Sequence, residues 1–89
     1  MNVQHQPEKA RFFAPLEGGE AELAYLRSGE VLDLHHTYVP SESRGGGVGA
    51  ALVRAAFDHA RREGLRIRPT CPFVRSWLDD HPEERDLTE

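Results

Sequence analysis

The 89 residues of this chain suit one small domain, 1–89, of 10.0 kDa, whose modest core calls for support from elsewhere. Its single cysteine, Cys71, excludes an internal disulfide and a thiolate zinc cluster, which leaves a bound ligand or homo-oligomerisation as that support. A formal charge of −4, from 11 basic and 15 acidic residues, argues against a nucleic-acid binder. No stretch approaches the roughly 20 apolar residues of a membrane span. Residues 1–8 are polar, without the apolar run of a secretory signal, so a cytoplasmic protein with a reduced thiol is expected. Ten of the 11 basic residues are arginine, and Lys9 is the only lysine.

Residues 1–8 read as a frayed lead-in. Residues 11–16 form a short apolar strand, and Gly18-Gly19 signals a turn. Residues 20–27 alternate, with Leu23 and Tyr25 on one face and Glu22, Ala24 and Leu26 on the other. Ser28-Gly29 is a second turn, and residues 30–39 are the clearest strand, stopped by Pro40. These three strands make an antiparallel meander. From residue 47 to 63 the period changes: Val48, Leu52, Ala56 and Ala60 recur every four residues, widened by Val53 and Phe57. That is an amphipathic helix, stopped by Gly64. Residues 65–70 form a strand that a right-handed crossover places parallel to residues 30–39. A second helix follows Cys71, with Pro72 in its first turn, and ends at His81-Pro82. The acidic tail to Glu89 reads as irregular. The class is α/β, of the α+β kind, with a mixed sheet.

The stretch Arg44-Gly45-Gly46-Gly47-Val48-Gly49 joins a strand to a long helix. Glycine allows close backbone approach and positive φ, and the helix start offers unpaired N–H groups to a phosphate. A glycine loop needed only for a sharp turn is the plainer reading. A P-loop is excluded, because Ala50, Ala51 and Leu52 stand where Gly-Lys-Ser/Thr is required. Gly45, Gly47 and Ala50 fit the dinucleotide fingerprint, but the next strand ends in Arg68, Pro69 and Thr70, without its ribose-binding acid.

Arg44-x-x-Gly47-x-Gly49 resembles the pyrophosphate motif of the GNAT (GCN5-related) acetyltransferases. The fuller set His36-Thr37-x-Val39-Pro40, Cys71-Pro72-Phe73-Val74 and His81-Pro82-Glu83 is similar to the very small GNAT-like family with an active-site cysteine. The resemblance spans residues 11–87. It implies a curved sheet with splayed parallel strands and acetyl-coenzyme A lying in the cleft between them. The pantetheine arm would pair with backbone near Val39, as an added strand does. The pyrophosphate would rest on Gly45, Gly46, Gly47, Val48 and Gly49 beside Arg44, with Phe73 also on the cofactor. Gly46 stands where relatives often carry a basic residue, and Tyr38 and Glu84 stand where acidic and aromatic residues are common.

Cys71 is the leading catalytic candidate, since a strand-to-helix junction favours a thiolate and the family has a cysteine near the acetyl group. The alternative is a small buried apolar residue, or a cysteine that only lines the site while an amine attacks directly. His36 is the candidate base, placed by alternation on the face of Leu32, Leu34 and Tyr38. A half-buried histidine bonded to nearby backbone is its plainer reading. His35 is read as a surface residue, and His5 and His59 lack partners for a metal site, so no metal is expected. Asp79, Asp80, Glu83, Glu84 and Asp86 form a solvated charged end or attract a cationic amine. Trp77 is read as core. Two functions follow: acetyl transfer from acetyl-CoA to an amine, small or macromolecular, through or past Cys71; or a coenzyme A-binding module without turnover, acting as sensor or subunit.

Overall fold

A computed structural model describes residues 2–89. Strands β1 (Gln4–Gln6), β2 (Arg11–Leu16), β3 (Gly19–Ser28), β4 (Val31–Tyr38) and β5 (Arg66–Pro69) form one sheet in sequence order. The first four run antiparallel, and β5 joins β4 in parallel after helix α1 (Val48–Glu63). Helix α2 (Pro72–Asp80) and a 3-10 turn, Pro82–Leu87, complete the chain. The expected meander, crossover helix, parallel strand and C-terminal helix are all present.

The periodicities explain the packing. On β3, Ala21, Leu23 and Tyr25 are buried while Leu26, out of step with them, is exposed. Helix α1 lays Leu52, Val53, Ala56, Phe57 and Ala60 onto that face, and α2 adds Val74, Trp77 and Leu78 to the same core. Burying one Leu or Phe side chain contributes about 1.5–3 kcal/mol, so this packing, more than helix propensity, holds α1 in place. Trp77 is core as expected, with its ring 4.9 Å from Phe57 and its other neighbours His81 at 4.1 Å and Arg54 at 5.0 Å.

The two ends of the chain differ from the reading of residues 1–8 as frayed and of the tail as irregular. Gln4–Gln6 pairs with β2 as an edge strand. Its anchor is His5, which stacks on Phe12 with ring centroids 4.2 Å apart and shares a 2.7 Å hydrogen bond with the Tyr25 hydroxyl. At the other end Glu84 is buried, and its carboxylate accepts from Arg54 and Arg61, both at 2.9 Å. Asp86 takes a second pair of bonds from Arg61, at 3.0 Å each, and Asp79 pairs with Arg85 at 2.8 Å. Arginine suits this place because its planar fork serves two carboxylates at once. The tail then bridges to β5, the Glu89 N–H donating to the Ile67 carbonyl at 3.0 Å. Glu84, Asp86 and Asp79 are therefore paired with the chain's own arginines, while Asp80 and Glu83 of the same end are exposed.

Strand β4 carries the decisive irregularity. Its pairing with β3 shifts between Ala24 and Tyr25, so that Leu34 faces Tyr25 but His36 faces Ala24. His35 is the extra residue of a β-bulge, and every side chain beyond it changes face. Thr37 pairs with Leu23 on the core face, while His36 and Tyr38 pair with Ala24 and Glu22 on the opposite one. The bulge corrects the placement of His36 beside Leu32 and Leu34. On the other side, β4 and β5 are paired only as far as Leu34 and Pro69. Pro69 has no N–H to continue the ladder, and β4 runs on to Tyr38 without β5 beside it.

Candidate functional site

The divergence of β4 and β5 brings three segments together: the end of β4, the glycine loop and the start of α2. After Pro40 the chain makes a 3-10 turn at Ser41–Ser43, and Arg44 follows in extended conformation. Gly45 and Gly47 have φ of 85° and 83°, a region that side-chain-bearing residues avoid. These two turns aim the loop backbone at the start of α1. Gly47 caps the helix with no side chain among the described residues satisfying its first N–H groups, and the intrahelical ladder begins with Ala51 N–H on the Gly47 carbonyl at 3.0 Å. Such an uncapped first turn presents several donors and the positive end of the helix dipole.

Those donors border a cavity of about 290 Å³ lined by Val39, Ser43, Arg44, Gly45, Gly47, Val48, Gly49, Ala50 and Phe73. A second cavity of about 270 Å³ is lined by Thr37, Tyr38, Val39, Arg44 and Phe73. Sharing Val39, Arg44 and Phe73, the two form one groove from the glycine loop to Thr37. Phe73 is exposed and lies directly over α1, where a Cβ on Gly49 would meet its ring at 2.7 Å. Gly49 thus leaves room for the Phe73 ring against α1. Of the expected contact residues, only Gly46 does not line the groove, and Thr37, Tyr38, Ser43 and Ala50 line it unforeseen.

Cys71 lines neither cavity and lies beside the far end, behind Thr37. Its N–H donates to the Leu34 carbonyl at 2.9 Å, continuing the β4–β5 seam by one residue and fixing the start of α2. Its thiol is buried, and Thr37 Oγ1 lies 3.4 Å from Sγ. Burial pushes the Cys71 thiol up, but the hydrogen bond from Thr37 and backbone bonds involving Val74, Phe73 and Thr37 outweigh it, leaving it below the ordinary thiol range. Donors clustered at a helix start stabilise a thiolate more than its protonated form. The structure brings Cys71 to Thr37, and Val39, Arg44 and Phe73 to the glycine loop. It does not bring His36 to Cys71, since the bulge turns that imidazole to the opposite face. Thr37 is the residue that sequence reasoning missed. The sequence carries no signal for it: only the fold shows that buried Leu32 and Leu34 are followed by Thr37 and Val39 instead of His36 and Tyr38.

Residues 11–87 match the family model described as GCN5-related N-acetyl-transferase. The chain belongs to that family. Within the GCN5-related family it is 33% identical over 85 residues to Protein NATD1 of Bos taurus, an alignment covering 92% of this chain and 75% of the relative. It is 32% identical over 85 residues to Protein NATD1 of Homo sapiens, with the same coverage of both. In three dimensions this GCN5-related chain is similar to the solution structure of a GCN5-like protein from Staphylococcus aureus. The TM-score there is 0.78 at 26% identity, covering 99% of this chain and 87% of the other. Among the described residues no helix is long and apolar enough to cross a membrane.

Proposed function

We propose that this protein binds acetyl-coenzyme A in the groove and transfers its acetyl group to an amine, with Cys71 as the acetyl acceptor on the way. The carrying observation is the continuity of the groove. Uncapped helix donors and Arg44 stand at one end, and a thiol held below its usual range by Thr37 lies beside the other. Coenzyme A has matching parts in the same order: an anionic pyrophosphate, an amide-bearing arm and a reactive thioester. The pyrophosphate suits the N–H groups of the first turn of α1 and the Arg44 guanidinium. The arm suits the β4 edge beyond Leu34, which β5 leaves open for an added strand. The thioester then arrives near Cys71.

In this reading the Cys71 thiolate attacks the thioester carbonyl. A bond forms between Sγ and the acetyl carbon, the bond to the coenzyme sulfur breaks, and coenzyme A leaves with the proton that Cys71 gave up. A neutral amine then attacks the acetyl-cysteine, the Sγ–carbon bond breaks, and the amine's surplus proton returns to the sulfur. Thr37 donates to Sγ whenever it is anionic. The arrangement favours this route over direct attack assisted by His36, whose side chain faces away from the groove's thiol end.

The test is incubation with acetyl-coenzyme A alone, followed by mass analysis of the peptide carrying Cys71. A single acetyl group on that peptide, removed by hydroxylamine through nucleophilic attack on the thioester and absent in Cys71→Ser, is expected. Amine acetylation retained in full by Cys71→Ser would reject the covalent route. Binding of coenzyme A without transfer to any amine would favour the module without turnover. Lys9, the only lysine, is exposed and serves as an internal control for stray acetylation.

A further inference from the structure

Arg44 stands where the two cavities of the groove meet, and its side chain is already engaged there. Its Nε donates to the Val39 carbonyl at 3.0 Å. Val39 follows the last residue of β4 and lies on the stretch that β5 leaves unpaired. Its carbonyl is therefore one of the groups an extended, amide-bearing ligand would use to add a strand. Among the described residues no carboxylate pairs with Arg44, in contrast to Arg11, Arg54, Arg61, Arg68 and Arg85, which all have acidic partners. Arg44 thus holds an exposed carbonyl with a charge that no acid satisfies. An anion at the glycine loop, whose residues share the first cavity with Arg44, offers that guanidinium a stronger partner than a neutral carbonyl does.

We propose that Arg44 is a latch across the groove: its guanidinium competes with the ligand's amide arm for the Val39 carbonyl and yields it when a pyrophosphate takes the guanidinium. This inference rests on the coenzyme A reading above. It gives Arg44 a positioning role besides phosphate contact, because it makes entry of the arm conditional on arrival of the anionic end. The discrimination is against arms that carry no phosphate, such as pantetheine itself. A latch that is closed most of the time lowers the affinity for such an arm by the fraction of time it is open. For one solvent-exposed hydrogen bond that is a factor of about five.

The signs of two affinities in one variant decide the matter. Coenzyme A and pantetheine are titrated separately into the wild-type protein and Arg44→Met, which keeps the unbranched stem but donates nothing. Binding is followed by calorimetry and by backbone amide shifts. Arg44 is exposed and its side chain's one hydrogen bond among the described residues is to Val39, and matching thermal melts without ligand check that the fold is kept. The latch predicts that Arg44→Met binds coenzyme A about tenfold more weakly yet binds pantetheine about fivefold more tightly. It also predicts that inorganic pyrophosphate tightens pantetheine binding to the wild type and loses that effect in the variant, by reciprocity of coupling. Pantetheine affinity unchanged or weakened in Arg44→Met, with wild type binding coenzyme A, overturns the latch and leaves the coenzyme A reading standing. Failure of the wild type to bind coenzyme A at all overturns that reading instead, and the latch with it.

Discussion

Helix α1 begins and ends on the same residue type in the same conformation, Gly47 at φ 83° and Gly64 at φ 70°. Their surroundings differ in one respect. At the C-terminal end the Gly64 and Leu65 N–H groups both close onto the Ala60 carbonyl, and Arg61 and Arg62 occupy the last turn. That end is sealed by its own backbone and by charges of the favourable sign. At the N-terminal end no side chain among the described residues caps the helix, and its donors border the 290 Å³ cavity. A glycine in the left-handed region is therefore no sign of a site by itself. The uncompensated donors beside it are.

Substitutions at the two glycines should separate binding from stability. At Gly47 a β-branched side chain is strained by its φ and stands in the loop that forms the groove. Gly47→Val is expected to abolish the rise in melting temperature on adding coenzyme A, measured by thermal shift. Intact stabilisation would reject the placement of the pyrophosphate at this end. At Gly49 an added Cβ meets the Phe73 ring at 2.7 Å. Gly49→Ala should push the exposed Phe73 ring aside, cost about 1 kcal/mol or less in a denaturant melt and weaken coenzyme A binding as well. Gly64→Ala should cost about 1 kcal/mol, from the positive φ, and leave coenzyme A affinity as it was. Equal effects of Gly47→Val and Gly64→Ala on ligand binding would erase the distinction between the two ends.

Two further expectations concern regions remote from the groove. Glu84 is buried between Arg54 and Arg61, whose hydrogen bonds hold its carboxyl below the usual range. Glu84→Gln should destabilise the fold by about 1–2 kcal/mol, discounted for the partial exposure of both arginines, with coenzyme A affinity unchanged. Because the folded carboxyl is lowered, its contribution is present above the unfolded value of 4.5 and lost as pH falls through the folded one. The opposite corner holds His5 and His59, with ring centroids 4.5 Å apart. Burial lowers His5, helped by His59 and opposed by Glu8. Burial also lowers His59, with Glu63 opposing and Arg62 and Arg27 assisting. Both imidazoles bind protons more readily in the unfolded chain, so stability should fall as pH drops below 6.5 and level off beneath the folded values. His5→Phe should flatten that part of the pH profile. It should also remove the bond to Tyr25, and hydrogen exchange in Gln4–Gln6 should report both changes.

Much of the fold was legible because it follows from periodicity. The alternation of β3, the four-residue recurrence on α1 and the glycine turns are local patterns. The glycine loop was legible for the same reason, being contiguous in sequence. Three features were not, and each depends on a partner distant in sequence. Gln4–Gln6 is polar and short, and becomes a strand because His5 meets Phe12 and Tyr25. Glu84 resembles its solvated neighbours in sequence, and only the fold brings Arg54 and Arg61 of α1 onto it. Thr37 displaced His36 from the thiol's face because a single inserted residue, His35, reverses the alternation of β4. The contact between Thr37 and Cys71 spans 34 residues, and no local pattern announces it.

On the proposed function, coenzyme A lies along one groove from the uncapped start of α1 to Thr37, beside the Cys71 thiol. Backbone amide shifts recorded during a coenzyme A titration test it most directly. The expected result is one connected set of perturbations, at residues 45–50, at Thr37, Tyr38 and Val39, and at Cys71 and Phe73. Gly64 and the His5–His59 corner should stay unperturbed. Perturbations centred on that corner, or confined to the glycine loop with Thr37 and Cys71 unmoved, would contradict it.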